Sequence, residues 1–285
     1  MSPQLNTAAD ISAFVNPIFD GALLIARDVN VMMPLVQFFG DRSGTALRQN
    51  SQYGGATINS IGETDDLASQ AFTPASIAQL KPTEAGGQYF LTDLRIESDP
   101  FAVQSDASMD LGLATGTKME VDMLGTFGSL TGGTVGAQGT VLTWGIVAAA
   151  IANLRAQKAP MPYSLVLHPF QWHPLAKAIL PGVALTNVPV ATLDEFQRKF
   201  YVGSITGADI FVTSNITGGG TNKATGALFA RPAIGFDLRR APRLEPERDA
   251  SRRGYELNMT TVYAAGVWRP LFGIQVVSDC STPAS

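Results

Sequence analysis

The chain has 285 residues, of which 45% are hydrophobic and only 15% charged, with a formal net charge of −4. Soluble proteins ordinarily carry roughly 25% charged residues, and mixed surface charge keeps monomers apart, so this composition points to a chain that hides much of its outside in an assembly. It excludes intrinsic disorder, which needs low hydrophobicity and high net charge, and a dedicated nucleic-acid binder with a basic footprint.

The single cysteine, Cys280, rules out an intramolecular disulfide. The first basic residue is Arg27, so no positive region precedes a signal-type apolar stretch. No run reaches the ~18 apolar residues of a membrane span. A soluble intracellular product without a membrane partner is expected.

Residues to about Gly44 carry apolar clusters (Ile11, Phe14, Val15, Ile18, Phe19, then Leu23, Leu24, Ile25) broken by Pro17 and Pro34. They fit an arm that packs on something else, or an ordinary first helix. From Thr45 to Gln88 the composition turns to Gly, Ser, Thr, Asn and Gln, with an acidic turn at Glu63, Asp65 and Asp66. Two extended legs with an acidic tip would form a long hairpin, which is marginally stable alone and must lie on something; a disordered loop is the alternative. Tyr89 to Glu97 has strand-like alternation, with Leu94 and Ile96 against Arg95 and Glu97.

Val103 to Leu130 reads as a helix whose apolar stripe is Met109, Leu113, Met119, Val121, Met123, Leu124 and Phe127. Asp106 and Asp110 near its start suit the helix dipole. Between Thr140 and Lys158, Trp144, Val147, Ala148, Ile151 and Leu154 follow helical spacing. Tyr163 to Leu167 is a short buried-type strand, His168-Pro169 opens a helix that ends near Pro181-Gly182, Ala208 to Thr213 is another strand, and Gly218 to Gly220 is a turn. The end is strongly β: Tyr255, Leu257, Met259, Thr261 and Tyr263 share one face, and Leu271 to Val277 forms a final strand.

Enzyme signatures are missing. There is no P-loop, no GxGxxG and no GxSxG, so neither a phosphate cradle nor a nucleophile elbow is encoded. One cysteine and two histidines cannot supply a structural zinc site. His168 and His173 have no acid within twenty residues on either side, so a structural role outweighs a metal or catalytic one. The acidic tip lacks the ligand spacing of a calcium loop. No cofactor is expected.

The run Asp237 to Glu256 holds six arginines, Arg239, Arg240, Arg243, Arg248, Arg252 and Arg253, against five acids. A nucleic-acid arm would be of one sign. Because arginine suits bidentate carboxylate pairing, the run reads as an inter-subunit ion-pair network, with a solvated loop as the bland alternative.

The order of these elements resembles the major capsid protein of tailed bacteriophages with the Hong Kong 97 fold. The local matches are Tyr163 to Trp172 (YSLVLHPFQW), Gly203 to Thr213 (GSITGADIFVT) and Ala227 to Ile234 (ALFARPAI), followed by the arginine-rich run and the strand through Tyr263. The resemblance implies an α+β chain: N-arm 1–44, E-loop hairpin 45–88, P-domain with its long spine helix 89–135, α/β A-domain 136–230, P-domain return strands 231–269, and a final A-domain strand with the tail 270–285. It implies a homo-oligomer of hexamers and pentamers closing into an icosahedral shell around double-stranded DNA, bound without sequence specificity. A separate scaffolding protein, a portal and decoration proteins are the implied partners, and the implied location is the virion, assembled in the host cytoplasm.

Some members of that family cross-link subunits through an E-loop lysine. Here Lys81 is the only lysine between residues 45 and 100 and stands at the loop's base, so no covalent cross-link is expected. The acidic tip, Glu63, Asp65 and Asp66, is expected to meet the arginines at 239–253 of an adjacent subunit. The rival readings are an encapsulin-type nanocompartment shell and, remotely, an α/β hydrolase-like enzyme.

Overall fold

The computed structural model describes residues 30–53, 55–63, 66–67, 69–72, 74–98, 103–178, 204–205 and 207–283. The apolar clusters between Ile11 and Ile25, and the helix end expected near Pro181, lie outside them.

In chain order, β1 (Gln37–Phe39) is followed by β2 (Arg48–Tyr53), which pairs antiparallel with β3 (Pro74–Leu80). Beyond the strands the two legs stay together: Tyr53 stacks on Phe72 with centroids 4.3 Å apart, and the Thr57 amide donates to Gln70 Oε1 at 3.0 Å. The segment is therefore a hairpin and not a disordered loop.

Next comes β4 (Thr83–Thr92), and here two expectations need correcting. Residues 83–88, read as part of the hairpin, are hydrogen-bonded into a different sheet, with Thr83 opposite Tyr263 and Gln88 opposite Asn258. Gly86-Gly87 hides the strand signal, yet glycine is required, because a Cβ on Gly86 would stand 2.7 Å from the Met259 carbonyl oxygen. The strand expected through Glu97 stops at Thr92 and gives way to α1 (Asp93–Ser98). Thr92 Oγ1 accepts from the Arg95 amide, and Asp93 occupies the first turn; a hydroxyl cap followed by an acid favours a helix start over continued strand.

The long helix α2 (Val103–Leu124) runs into a 3₁₀ segment at Gly125–Ser129. Its sequence stripe is only half right. Leu111, Met119, Met123, Leu124 and, in the 3₁₀ segment, Phe127 are buried, but Met109, Leu113 and Val121 are exposed. Met109 and Leu113 lie on the same helical face as Glu120 and Leu124; nothing from the described chain covers that face in the helix's first half.

The remaining elements are β5 (Thr134–Gly136), α3 (Trp144–Ala156), β6 (Tyr163–Leu167), α4 (Pro169–Lys177), β7 (Ser204–Ile205), β8 (Ala208–Val212), β9 (Thr221–Ala230), β10 (Ile234–Asp249), β11 (Gly254–Val267) and β12 (Gly273–Cys280). Helix α3 starts where the Thr143 hydroxyl accepts from the Ile146 amide, and it buries Val147, Ala150, Ile151 and Leu154. Ala148, assigned to the apolar face from spacing, is exposed.

Three sheets result. Four strands run β1-β10-β11-β4, six run β5-β12-β9-β6-β8-β7, and β2-β3 stands apart as a ribbon. The apolar run of β6 suits its place between a parallel and an antiparallel neighbour, β8 and β9, since a strand covered on both faces needs no polar side. Helix α3 closes one face of the six-stranded sheet through Leu154, Leu165, Leu228 and Ile274. Helix α2 lies on the four-stranded sheet, where Met123, Phe127, Phe229, Phe236 and Tyr263 form a core shared by both large sheets. The Tyr263 hydroxyl donates to Asp122 Oδ2 at 2.7 Å, tying sheet to helix, and burial together with this bond pushes the phenol pKa well up. No helix among the described residues is long and apolar enough to cross a membrane.

Candidate subunit interface

The hairpin's far half is where apolar side chains meet water. Ile58 is 91% exposed and Phe72 79%, with Ile61 and Leu67 exposed beside them. None of the four belongs to a hydrophobic cluster of the described chain. Exposed apolar side chains concentrated on an element with no core of its own mark an interaction site. Glu63 and Asp66 sit exposed at its end; Asp66 Oδ1 accepts from the Leu67 amide, and neither acid has a basic partner among the described residues. Asp65 lies outside the described residues.

The arginine run is neither loop nor free charge. It forms the β10–β11 hairpin, and most of its cations pair inside the chain. Arg240 meets Glu84 on β4. Arg248 makes a two-pronged pair with Asp93, one arm at 2.8 Å, and lies 4.8 Å over the Tyr255 ring. The hydrogen bonds from Arg248 hold the Asp93 carboxyl below its usual range. Arg252 reaches Glu256 at 3.1 Å and Arg243 reaches Glu245 at 3.2 Å, both in solvent. Arg253 takes a positive φ of 52° in the turn, and its carbonyl accepts from the Asp93 amide.

Arg239 requires a correction: its side chain is buried inside the subunit and cannot meet a neighbour. Its Nε and Nη2 donate to Asp237 Oδ2 at 3.0 and 2.8 Å, and Nη2 also reaches the Ala46 carbonyl. The same Asp237 oxygen accepts from Arg48 Nε at 2.8 Å, while Arg48 also pairs with Asp41. Burial works against the Arg48 cation, but Asp237 and Asp41 outweigh it and raise the guanidinium above its ordinary value. A hydrogen bond from its own backbone, and then Arg48, keep Asp41 well ionised. Arg48 opens β2, so this network anchors the root of the hairpin to β10. Sequence offered half a signal, since Asp237 and Arg239 are two apart on one strand face. Arg48, 189 residues away from Asp237, offered none.

A second buried acid escaped notice. Glu120 of α2 is fully buried and accepts from the Val31 amide at 3.1 Å and from Asn215 Nδ2. It joins the chain before β1, the long helix and the loop after β8.

The histidines have structural surroundings. His168 caps α4, its Nδ1 accepting from the Phe170 amide at 3.1 Å while Gln171 Oε1 accepts from the His168 amide. Gln171 continues to the Ala224 carbonyl and Ser278. The Cys280 thiol lies 3.1 Å from His168, and burial pushes its pKa up, away from thiolate chemistry. Replacing His168 with alanine is expected to cost about 0.5–2 kcal/mol, the usual range for a lost N-cap, and asparagine should recover most of it. Urea unfolding of the unassembled subunit measures both; equal stability of the alanine variant would refute the cap assignment.

A six-stranded α/β layer, a long helix on a second sheet and a hairpin with an apolar, acidic end make an α+β subunit of the arrangement expected of the Hong Kong 97 capsid type. The model of the family described as "Phage capsid protein" matches residues 77–276, most of the chain, and the protein belongs to that family. Similar solved structures include one from Mycobacterium phage Che8, with TM-score 0.71, 16% identity, and coverage of 92% of this chain and 97% of that one. The capsid of cyanophage P-SCSP1u matches with TM-score 0.65, 16% identity, and 93% of each chain. The capsid of an empty GTA particle matches with TM-score 0.69, 11% identity, and 96% and 99% of the two chains. No curated protein sequence matches the chain. The protein is a structural major capsid protein and not an enzyme; the hydrolase reading is discarded, and the nanocompartment reading is not favoured.

Proposed function

We propose that the subunit assembles into hexamers and pentamers of an icosahedral shell that encloses double-stranded DNA, with its β2–β3 hairpin laid across a neighbouring subunit. The observation that carries this reading is the hairpin end: Ile58, Ile61 and Leu67, with the face of Phe72 turned away from Tyr53, present apolar surface outside every hydrophobic cluster of the described chain. Obligate interfaces of about 2,000–5,000 Å² would account for a chain with only 15% charged residues. A slightly acidic wall also avoids gripping the packaged DNA, because affinity for phosphates comes from neutralising cations.

The inter-subunit role of the arginine run narrows in this reading to Arg243 on β10 and Arg252 and Arg253 in the β10–β11 turn, which are exposed, although Arg243 and Arg252 also hold Glu245 and Glu256. A separate scaffolding protein, a portal and decoration proteins complete the proposal, with assembly in the host cytoplasm. Lys81 stands between β3 and β4 at the hairpin's base, which suits a shell held without covalent cross-links.

Negative-stain electron microscopy of native particles containing the chain tests the reading. Closed shells of tens of nanometres that hold DNA are the expected result. Shells filled with protein would reject the enclosed genome, and a dispersed monomer or dimer would reject assembly itself.

A further inference from the structure

Beside the root of the hairpin lies a cavity of about 500 Å³, walled by β1, the start of β2 and the segment after β11. Its apolar side is Phe39, Pro232 and Trp268; its polar side includes Arg42, Arg48 and Arg269. The charges around it do not balance. Arg48 and the buried Arg239 share Asp237, and Arg48 also takes Asp41. Arg42 has only a loose 3.9 Å approach to that same Asp41, with both groups largely in water. Arg269 is exposed and lies 5.4 Å over the Phe272 ring, with no carboxylate partner among the described residues. Among the described residues, the cavity's Arg42, Arg48 and Arg269, together with Arg239 behind Arg48, are answered only by Asp41 and Asp237, an excess of two positive charges in a chain whose net charge is −4.

The hairpin end offers the complement. Glu63 and Asp66 have no cation among the described residues, and Ile61 and Leu67 are exposed next to them. Acids flanked by aliphatic side chains match a pocket of guanidiniums flanked by aromatic rings in both charge and polarity. The arginines of the β10–β11 hairpin are poorer receivers, because Arg239, Arg240, Arg243, Arg248 and Arg252 already hold carboxylates of their own chain and Arg253 stands near Asp93.

We propose that the cavity at the hairpin root receives the acidic hairpin end of a second copy of this chain, with Arg42 and Arg269 taking Glu63 and Asp66. The proposal rests on the capsid reading and names the receiving surface within it. Such a contact links the root of one hairpin to the tip of another, so each subunit's network at Arg48, Asp237 and Arg239 also sets where its neighbour's tip arrives.

Reciprocal charge reversal tests it, with wild-type particles made in parallel under the same conditions. Arg42→Glu with Arg269→Glu, and separately Glu63→Arg with Asp66→Arg, should each lower the yield of closed shells by about tenfold or more, since like charges brought together suppress an interface. Combining all four changes should return most of that yield, read by sedimentation and electron microscopy. All four positions are exposed, and circular-dichroism melting of the unassembled subunits should be unchanged, which separates assembly from folding. Normal yield from either reversed pair would overturn the proposal, and so would failure of the combination to restore shells. Normal shells with reduced DNA content would instead assign the cavity to phosphate and equally overturn it. Failure of the wild type to form shells would count against the capsid reading alone.

Discussion

Asp237→Ala is expected to destabilise the unassembled subunit by about 3–5 kcal/mol, the cost of leaving a buried charge without its partner. The carboxylate is 0% exposed and one of its oxygens serves both Arg48 and Arg239. Removing it leaves the almost wholly buried Arg239 without a carboxylate and Arg48 with Asp41 alone. Against a total stability of about 5–15 kcal/mol for a typical domain, that loss brings the subunit close to unfolding. Asp237→Asn should fall between the two, keeping an acceptor oxygen without the charge.

A triple replacement with apolar residues, Arg48→Met, Asp237→Leu and Arg239→Met, should be far milder than the single alanine, because the desolvation cost disappears with the ions. The network is not fully satisfied as it stands: Asp237 Oδ1 and Arg239 Nη1 are buried without hydrogen-bond partners among the described residues. Equilibrium urea unfolding ranks the variants. An Asp237→Ala subunit within about 1 kcal/mol of wild type, less than an ordinary unsatisfied polar group costs, would show that the root network contributes little.

The second large effect should appear in assembly and leave folding alone. Replacing residues 54–73 by an Asn-Gly turn keeps Tyr53 and Pro74 at the ends of the shortened ribbon, with a turn whose backbone twist suits a hairpin. The deleted portion contributes no residue to any hydrophobic cluster of the described chain, so the melting temperature of the subunit should barely change. Closed shells should disappear, because the apolar hairpin end is the surface assigned to the neighbour. Sedimentation of the purified variant separates the outcomes, and abundant shells of normal size would remove the hairpin from the assembly mechanism.

The two experiments divide the molecule as its sequence does. Where burial is dense, pattern alone is informative: YSLVL gives β6, the 3.6-residue spacing gives α3, and the alternation of Leu257, Met259, Thr261 and Tyr263 gives the covered face of β11. Where an element is covered by something outside the chain, pattern misleads. Met109 and Leu113 read as core because they are apolar and correctly spaced, yet no described residue lies over them. Leu94 and Ile96 alternate like a strand, but the cap at Thr92 decides the conformation first. The candidate interface is legible only in part. The acidic tip stands out as a local cluster, whereas the partners of the arginines do not. Arg248 finds Asp93 from 155 positions away and Arg240 finds Glu84 from 156, and only the pairing of β11 with β4 brings those acids near.

The place of the last strand has a consequence for how the shell's parts are made. β12 lies between β5 and β9, parallel to the first and antiparallel to the second. β1 likewise waits for β10, with Gln37 opposite Gly235. Both large sheets wait for distant strands: the four-stranded one cannot close before β10 and β11 are made, and until residues 273–280 are available the six-stranded sheet has an open seam between β5 and β9. Pairings so distant in sequence fold slowly, and the seam exposes strand edges that favour aggregation. Completion of β12 is thus a checkpoint built into the topology, and a chain that stops before residue 273 lacks the strand that joins β5 to β9.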